Sequence, residues 1–395
     1  MKKHSLLMAL MVATIFVTAS LAHAVAYRLE DFENPGLKSG VGMVNINGQS
    51  FLKVGLSPDF QMGPFGLGVD LNLYAPLSGG QVPDSLQSLS VRMVSYQDPS
   101  WGLKWGRLTD VTFGSGLLMN HYDSGNFGNS EFTTQKAGFM GYATVSGVRV
   151  DAMFTGTNVA AGRVSTPVWA NGLFGKTLTG GATYVADADG ATFGSTYQAP
   201  SQSGFSVDLG LPIFDQFLNA YAEYASLSGF GNGQTIGVGG SMTPAIDYKF
   251  EYRILGQNFV PGYFNATYES NPSNISLMTK STSGWLGYAG AKFLDDYVKA
   301  DLVFEQYDGL KPSLTGALGW RQIYNCVGVI NYVQTFPSAT EQGLGTFSGD
   351  FLYITGGPAN YVVSVKRVYT TLSTYDESYS VGVRINLGKL FSLPF

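Results

Sequence analysis

The chain has 395 residues with 23 Lys and Arg against 28 Asp and Glu, a formal net charge of −5 and only 13% charged residues. Soluble domains carry about 25% and nucleic-acid binders need a basic patch, so both classes fit poorly and nucleic acid is not an expected partner. A single cysteine, Cys326, excludes an internal disulfide and a cysteine-based zinc site.

Met1-Lys2-Lys3-His4 is a short basic start, followed by an uncharged apolar run from Ser5 to Leu21. Ala22-His23-Ala24 fits the small-x-small cleavage rule, and Ala24-Val25-Ala26 fits it one frame later. Residues 1–24 therefore read as a signal peptide. An uncleaved membrane anchor is the alternative, and the short run ending in a cleavage site argues against it. No cysteine follows the run, which disfavours a lipoprotein. Residues 25–48 form an N-terminal segment with a candidate first strand in 38–48.

Residues 49–395 read as strand, turn, strand to the end. Phe65-Gly-Leu67-Gly-Val69-Asp-Leu71-Asn-Leu73 alternates apolar with small or polar residues. Val148, Val150 and Phe154 oppose Arg149, Asp151 and Thr155. Tyr248, Phe250 and Tyr252 oppose Lys249, Glu251 and Arg253. Val298, Leu302 and Phe304 oppose Lys299, Asp301 and Glu305; Leu314, Leu318 and Trp320 oppose Thr315 and Arg321. The strand Tyr379–Leu387 sets Ser380, Gly382, Arg384 and Asn386 against five apolar partners. A two-residue period places one strand face in an apolar medium and the other in water. In a soluble sandwich the charged face points out; in a wide membrane barrel the faces are reversed.

Three features favour the barrel over a secreted sandwich or solenoid. The segments have roughly the ten residues of a tilted crossing. Trp101, Trp105, Tyr248, Trp285, Tyr288, Tyr297 and Tyr307 fall near segment ends, as an interface girdle would. No long stretch shows a helical period. The expected fold is all-β, a transmembrane antiparallel β-barrel of about 16–20 strands, centred on 18. Roughly nineteen segments can be read directly, among them one at 101–113, and an even number calls for one more or one fewer. Short turns fall at Ser146-Gly147 and 97–100. Longer connections at 114–135, 189–202, 259–282 and 337–349 are rich in Gly, Ser, Asn, Thr and Pro.

The signal peptide, the alternating strands and the aromatic Phe395 resemble the outer-membrane barrels of Gram-negative-type bacteria, porin-like ones in particular. Lys389-Leu-Phe-Ser-Leu-Pro394 departs from their pattern, in which the last strand itself ends on the aromatic. Asn47–Phe51, Phe65–Leu71 and Trp105–Met119 are similar to a recurring pattern in poorly characterised outer-membrane barrels. The resemblance implies an outer-membrane location in a diderm bacterium, contact with lipid and with the barrel assembly machinery, and a homo-oligomer, often a trimer. It implies no cofactor.

The segment Arg107–Lys136 is unlike its neighbours: the strand period stops after Phe113, and a Gly-flanked apolar triplet is followed by His121, Tyr122 and Asp123. One reading folds it into the lumen and puts Asp110, His121, Tyr122, Asp123 and Glu131 at a constriction. The other leaves it an external loop packed on the rim. Candidate lumen residues are Arg149, Asp151, Lys249, Glu251, Arg253, Lys299, Asp301, Glu305, Arg321 and Arg384, with Asp70, Arg92, Lys104, Asp208 and Glu223 on similar faces. The acidic excess tilts expectation toward cations. His121 is the only histidine beyond the signal, so a catalytic pairing with Asp123 or Asp110 is the thinnest reading, and the protein is expected not to be an enzyme. The leading function is a porin-like channel for passive diffusion of small hydrophilic solutes or ions. A plugged structural or adhesive barrel and a transporter of apolar substrates are the alternatives.

Overall fold

A computed structural model of the chain describes residues 37–46, 49–77, 88–124, 137–188, 192–193, 197–198, 201–265, 268, 280–294, 297–310, 312–334, 345–356, 359–369 and 375–385. Twenty strands form one sheet. The first ten are β1 (Leu37–Ile46), β2 (Gln49–Met62), β3 (Phe65–Pro76), β4 (Ser88–Gln97), β5 (Trp101–Gly106), β6 (Gly138–Val145), β7 (Val148–Thr155), β8 (Val159–Trp169), β9 (Leu178–Asp187) and β10 (Gln202–Phe214). The rest are β11 (Leu218–Leu227), β12 (Asn232–Thr243), β13 (Ile246–Leu255), β14 (Thr282–Phe293), β15 (Val298–Tyr307), β16 (Ser313–Ile323), β17 (Cys326–Gln334), β18 (Gly345–Tyr353), β19 (Ala359–Tyr369) and β20 (Tyr375–Ile385).

Each strand pairs antiparallel with the next along the chain, and β1 meets β20 at a single registered pair, Val41↔Val383. The sheet thus turns back on itself, with a seam far shorter than its other ladders. A ring of this many strands, about 4.8 Å apart and tilted by about 40°, is roughly 40 Å across its backbone. The strand count lies at the upper limit of the expected range.

Turn lengths sort cleanly by side. Every long connection, at 77–87, 107–137, 188–201, 256–281 and 335–344, follows an odd-numbered strand. The connections after even-numbered strands are short, the longest being 170–177. The first strand supplies the parity that the sequence pattern lacks. Two hairpins show why their turns are tight. Ser146 and Gly147 have φ of 51° and 82°, and Tyr324 and Asn325 have 51° and 61°. Positive φ at both central residues gives the turn whose twist matches the flanking strands.

The polarity of the wall is inverted relative to a soluble protein. Val150, Phe154, Val207, Leu209, Ile236, Phe250, Ile254 and Phe304 are exposed on the outer face. Asp151, Glu223, Glu251, Arg253 and Glu305 are buried on the inner one. That arrangement is stable when lipid surrounds the sheet. Exposed aromatics also ring the short-turn end: Phe60, Phe65, Trp101, Trp169, Phe214, Phe217, Phe293, Tyr297 and Tyr324. A second group, Trp105, Phe139, Tyr184, Phe205 and Trp285, lies toward the other end.

One strand ends earlier than its sequence pattern predicts. The expected segment 101–113 stops at Gly106, whose φ is 125° and whose notional Cβ would sit 2.1 Å from the carbonyl oxygen of Arg92. No other residue fits there. From that point the chain leaves the wall, and Val111–Phe113 joins a separate sheet.

Candidate functional site

The segment after Gly106 folds against the inner wall. Val111–Phe113 pairs antiparallel with Met119–Tyr122, which in turn pairs parallel with Phe264–Asn265 from the connection after β13. Gly262 and Phe264 donate their backbone N–H groups to the carbonyls of Leu117 and Leu118. Two loops far apart in the chain are thereby knitted into one small sheet. Their side chains make a dry cluster of Leu108, Val111, Phe113, Leu117, Leu118, Met119, Tyr122, Phe259, Tyr263, Phe264 and Tyr268. The wall contributes Met153, Val159, Ala161, Val185, Ala225, Leu227, Leu255 and Tyr307 to the same cluster. All of these come from β7 to β15, one arc of the ring.

A buried carboxylate holds the loop tip. Glu223 Oε2 accepts hydrogen bonds from the Ser115 N–H at 2.7 Å, the Ser115 hydroxyl at 2.6 Å and the Leu117 N–H at 3.3 Å. Lys249 Nζ donates to the Ser115 carbonyl at 2.5 Å. Gly114 makes the approach possible: its φ is 66°, and a Cβ there would lie 2.9 Å from both Glu223 oxygens. At the foot of the loop, Arg107 Nε donates to Asp123 at 3.1 Å and the Leu108 N–H to the Ser124 hydroxyl at 3.0 Å.

The expected constriction residues separate. Tyr122 is wholly buried in the dry cluster, and Asp123 is buried with Arg107. Asp110 and His121 stay exposed and pair through an oxygen of the carboxylate and the His121 Nδ1, both at positive φ. Asp110, not Asp123, is therefore the partner of the histidine. Glu131 lies outside the described residues.

The strand candidates form charge networks along the inner face. Glu251 accepts from Lys249 at 2.7 Å, from Arg253 at 2.5 Å and from the Tyr221 hydroxyl at 2.8 Å. Arg253 also reaches Glu305 at 3.1 Å and the Tyr307 hydroxyl at 3.3 Å. Arg149 pairs with Asp151 at 2.8 Å, with the guanidinium also over the Tyr142 ring, and Asp301 accepts from Tyr288. Lys299 is half-buried opposite Gly319, Lys104 is half-buried opposite Met140, and the Arg321 N–H donates to the Tyr297 carbonyl. Arg92 falls at a bulge between Met93 and Val91. Arg384 lies on β20 opposite Asn360, and Asp70 on β3 opposite Ser90.

Sequence reasoning missed several inner-face groups. Arg163 pairs bidentately with Asp208, at 2.5 and 2.9 Å. Its parity with Ala161 on β8, opposite the exposed Val164, was the available signal. Tyr288 and Tyr307, expected in the outer girdle, instead face inward as partners of Asp301 and Arg253. They occupy the same parity as charged neighbours on their strands, which outweighs their position near strand ends. Ser115 and the 256–268 segment carry no period that marks them, because their partners lie on distant strands.

No protein-family model matches the chain, and no curated protein matches its sequence. Its architecture is similar to solved outer-membrane proteins at low identity. Pseudomonas aeruginosa OpdQ is 11% identical, with 88% of this chain and 96% of that one covered and a TM-score of 0.38. The outer membrane protein OpdK of the same organism is 10% identical over 88% and 97%, with a TM-score of 0.38. A variant of Rh. blastica porin is 10% identical over 88% and 98%, with a TM-score of 0.27.

Proposed function

We propose that the protein is an outer-membrane channel through which small hydrophilic solutes and ions diffuse passively. The observation that carries this reading is a charged inner wall that water reaches at the short-turn end, below the loop cluster. Arg149, Lys292 and Asp247 have half-exposed side chains at the short-turn ends of their strands, whereas the dry loop cluster packs, among the described residues, against β6 to β15. In a ring roughly 40 Å across, filling one arc narrows the passage and leaves the rest for solvent. Asp110 and His121, exposed on the loop's free side, then face the passage, and this pair rather than Tyr122 or Asp123 is the constriction candidate.

Passage is driven by the solute's own gradient. The inner charges are largely paired with charges of opposite sign at short range, as in Arg163–Asp208 and Arg253–Glu305. Paired charges present little net field to an ion, so selectivity is weak, with a slight preference for cations. The reading includes export through a signal peptide at residues 1–24 and insertion by the barrel assembly machinery. No catalytic role is assigned to His121.

A second reading has one observation in its favour. The loop cluster is as dry as a protein core, with Leu117, Leu118, Met119, Tyr122, Phe259 and Phe264 wholly buried. Such packing suits a plugged barrel whose outer loops bind a partner. Planar-bilayer recording of refolded residues 25–395 under a salt gradient separates the two. Stable open steps support the channel, and the sign of the reversal potential gives its preference. Silence from protein shown to be folded and inserted overturns it in favour of the plug. Swelling of vesicles in sugar solutions then distinguishes solute passage from ion passage alone.

A further inference from the structure

The luminal loop carries one polar edge that its dry cluster does not absorb. Val111 and Tyr122 pair in the small sheet and are buried, yet their chain neighbours Asp110 and His121 keep 75% and 38% of their side-chain surface open. The register explains how His121 turns out. Val111 pairs with Tyr122 and Phe113 with Met119, so Thr112 alone stands opposite both Asn120 and His121. That is a β-bulge, a device that re-aims a side chain. The His121 N–H donates to the Thr112 hydroxyl at 2.9 Å. Asp110 and His121 both adopt positive φ, 61° and 51°, a conformation that costs free energy for residues other than glycine. Two such residues, with their side chains joined, point to a function for the pair.

The pair looks across at a particular stretch of wall. Asp110 is close enough to the Tyr288 hydroxyl on β14 to act on it electrostatically, and so is Asp247 on β13. Tyr288 donates to Asp301 on β15 at 2.7 Å. It does so over Gly290, where a Cβ would lie 2.3 Å from the phenol oxygen and 2.6 Å from Asp301. Gly290 is registered with Asp247 on one side and Asp301 on the other, so two carboxylates flank a position that has no side chain.

The charges around this gap do not cancel. Lys292 lies 3.9 Å from Asp247, and Lys299 is registered with Lys292 on the same inner face. Higher on the wall, Lys249 and Arg253 are balanced by Glu251 and Glu305. Asp110, Asp247 and Asp301 thus stand against Lys292 and Lys299, which leaves the gap one charge negative while His121 is neutral. A proton on His121 brings it to neutrality.

We infer that the Asp110–His121 pair sets the ion preference of the passage and that proton uptake by His121 removes it. The inference rests on the channel reading and adds a regulator to it. Histidine is the side chain whose charge ordinarily changes between pH 5 and 8. With His121 neutral, the Asp110 carboxylate and the wall opposite favour cations over anions. A unit charge about 7 Å from an ion in water changes the ion's energy by about RT, with opposite sign for cation and anion. The cation-to-anion permeability ratio should therefore fall about sevenfold as His121 takes up its proton. High salt shortens the reach of the charge and shrinks the change.

The test is the reversal potential of the barrel refolded from residues 25–395, recorded under a salt gradient at steps from about pH 8 to about pH 5. The expected result is a cation preference that declines about sevenfold over that interval. Residues 25–395 hold a single histidine, so an NMR titration of histidine-labelled protein reads His121 directly. Its midpoint should coincide with that of the permeability change. His121→Gln should keep the cation preference at every pH, and Asp110→Asn should turn the low-pH preference toward anions. If a variant does not fold, diethyl pyrocarbonate caps the same imidazole in the folded parent and should abolish the pH dependence. A conducting barrel whose ratio is independent of pH overturns the inference and leaves the channel reading standing. So does a pH dependence that survives His121→Gln or capping, or one whose midpoint differs from that of the histidine. A silent barrel overturns the channel reading itself, and the selectivity role with it.

Discussion

Glu223→Ala tests the loop anchor directly. The carboxylate receives two backbone N–H groups and one hydroxyl from Ser115 and Leu117. Truncation leaves the two N–H donors in a site where Leu117 is wholly buried. Each stranded donor costs about 1–3 kcal/mol, and hydrogen bonds to a charged group sit at the upper end. The Ser115 hydroxyl can rotate to another acceptor and is left out of the sum. The loss is then about 2–6 kcal/mol, concentrated at the loop tip, while the wall keeps its ladders. At about 1.4 kcal/mol per factor of ten, the open-loop population rises by at least about thirtyfold. Single-channel recording should show larger or more frequent conductance substates at unchanged barrel stability. Glu223→Gln keeps one acceptor oxygen and should fall between the two. Indistinguishable noise and conductance in Glu223→Ala and the parent would refute the claim that this carboxylate holds the loop.

Three other outcomes follow from the wall. Ile236→Arg places a charge on a highly exposed outer position in the middle of β12 and should cost about 2–4 kcal/mol in urea titrations of the inserted protein; parent-like stability would contradict the lipid-facing assignment. Arg253→Met removes the cation that Glu251 and Glu305 share, leaving Glu251 to Lys249 and Tyr221 and Glu305 to hydroxyls, and should destabilise by about 3–5 kcal/mol, measured by the same titration, with little rescue from Arg253→Lys because the fork to two carboxylates is lost. Arg149→Glu puts a second acid beside Asp151 on a half-exposed inner position and should shift the reversal potential toward cation selectivity, an effect that shrinks at high salt.

The wall was legible in the sequence because its two-residue period is strict wherever one face meets lipid. Asp151, Thr155, Glu251, Arg253 and Glu305 are buried while Val150, Phe154, Phe250 and Phe304 are exposed, the same two-residue alternation that the sequence shows. The period weakens where side chains are small. In Leu37–Ile46, Gly40 and Gly42 blur the pattern, so this strand shows only as a parity defect until its pairing with β2 is seen. Aromatics misled at Tyr288 and Tyr307, because a tyrosine suits a lipid interface and a buried carboxylate equally well. The luminal loops were the least readable part. Apolar residues at Leu117, Leu118 and Met119 mark burial, but nothing local says that Glu223 and Phe264 complete the site.

The barrel lives in two media, and its parts answer to different forces. Its outer face meets hydrocarbon whether or not neighbouring groups pack against it, so water expulsion adds little there. The cluster of Leu117, Tyr122, Phe259 and Tyr263 is held inside by water, as a soluble core is. That driving force fades on cooling, whereas the backbone ladders of the wall have no such dependence. Chilling should therefore loosen the inner loops before it touches the wall, and in the proposed channel the width of the passage would follow temperature as well as sequence.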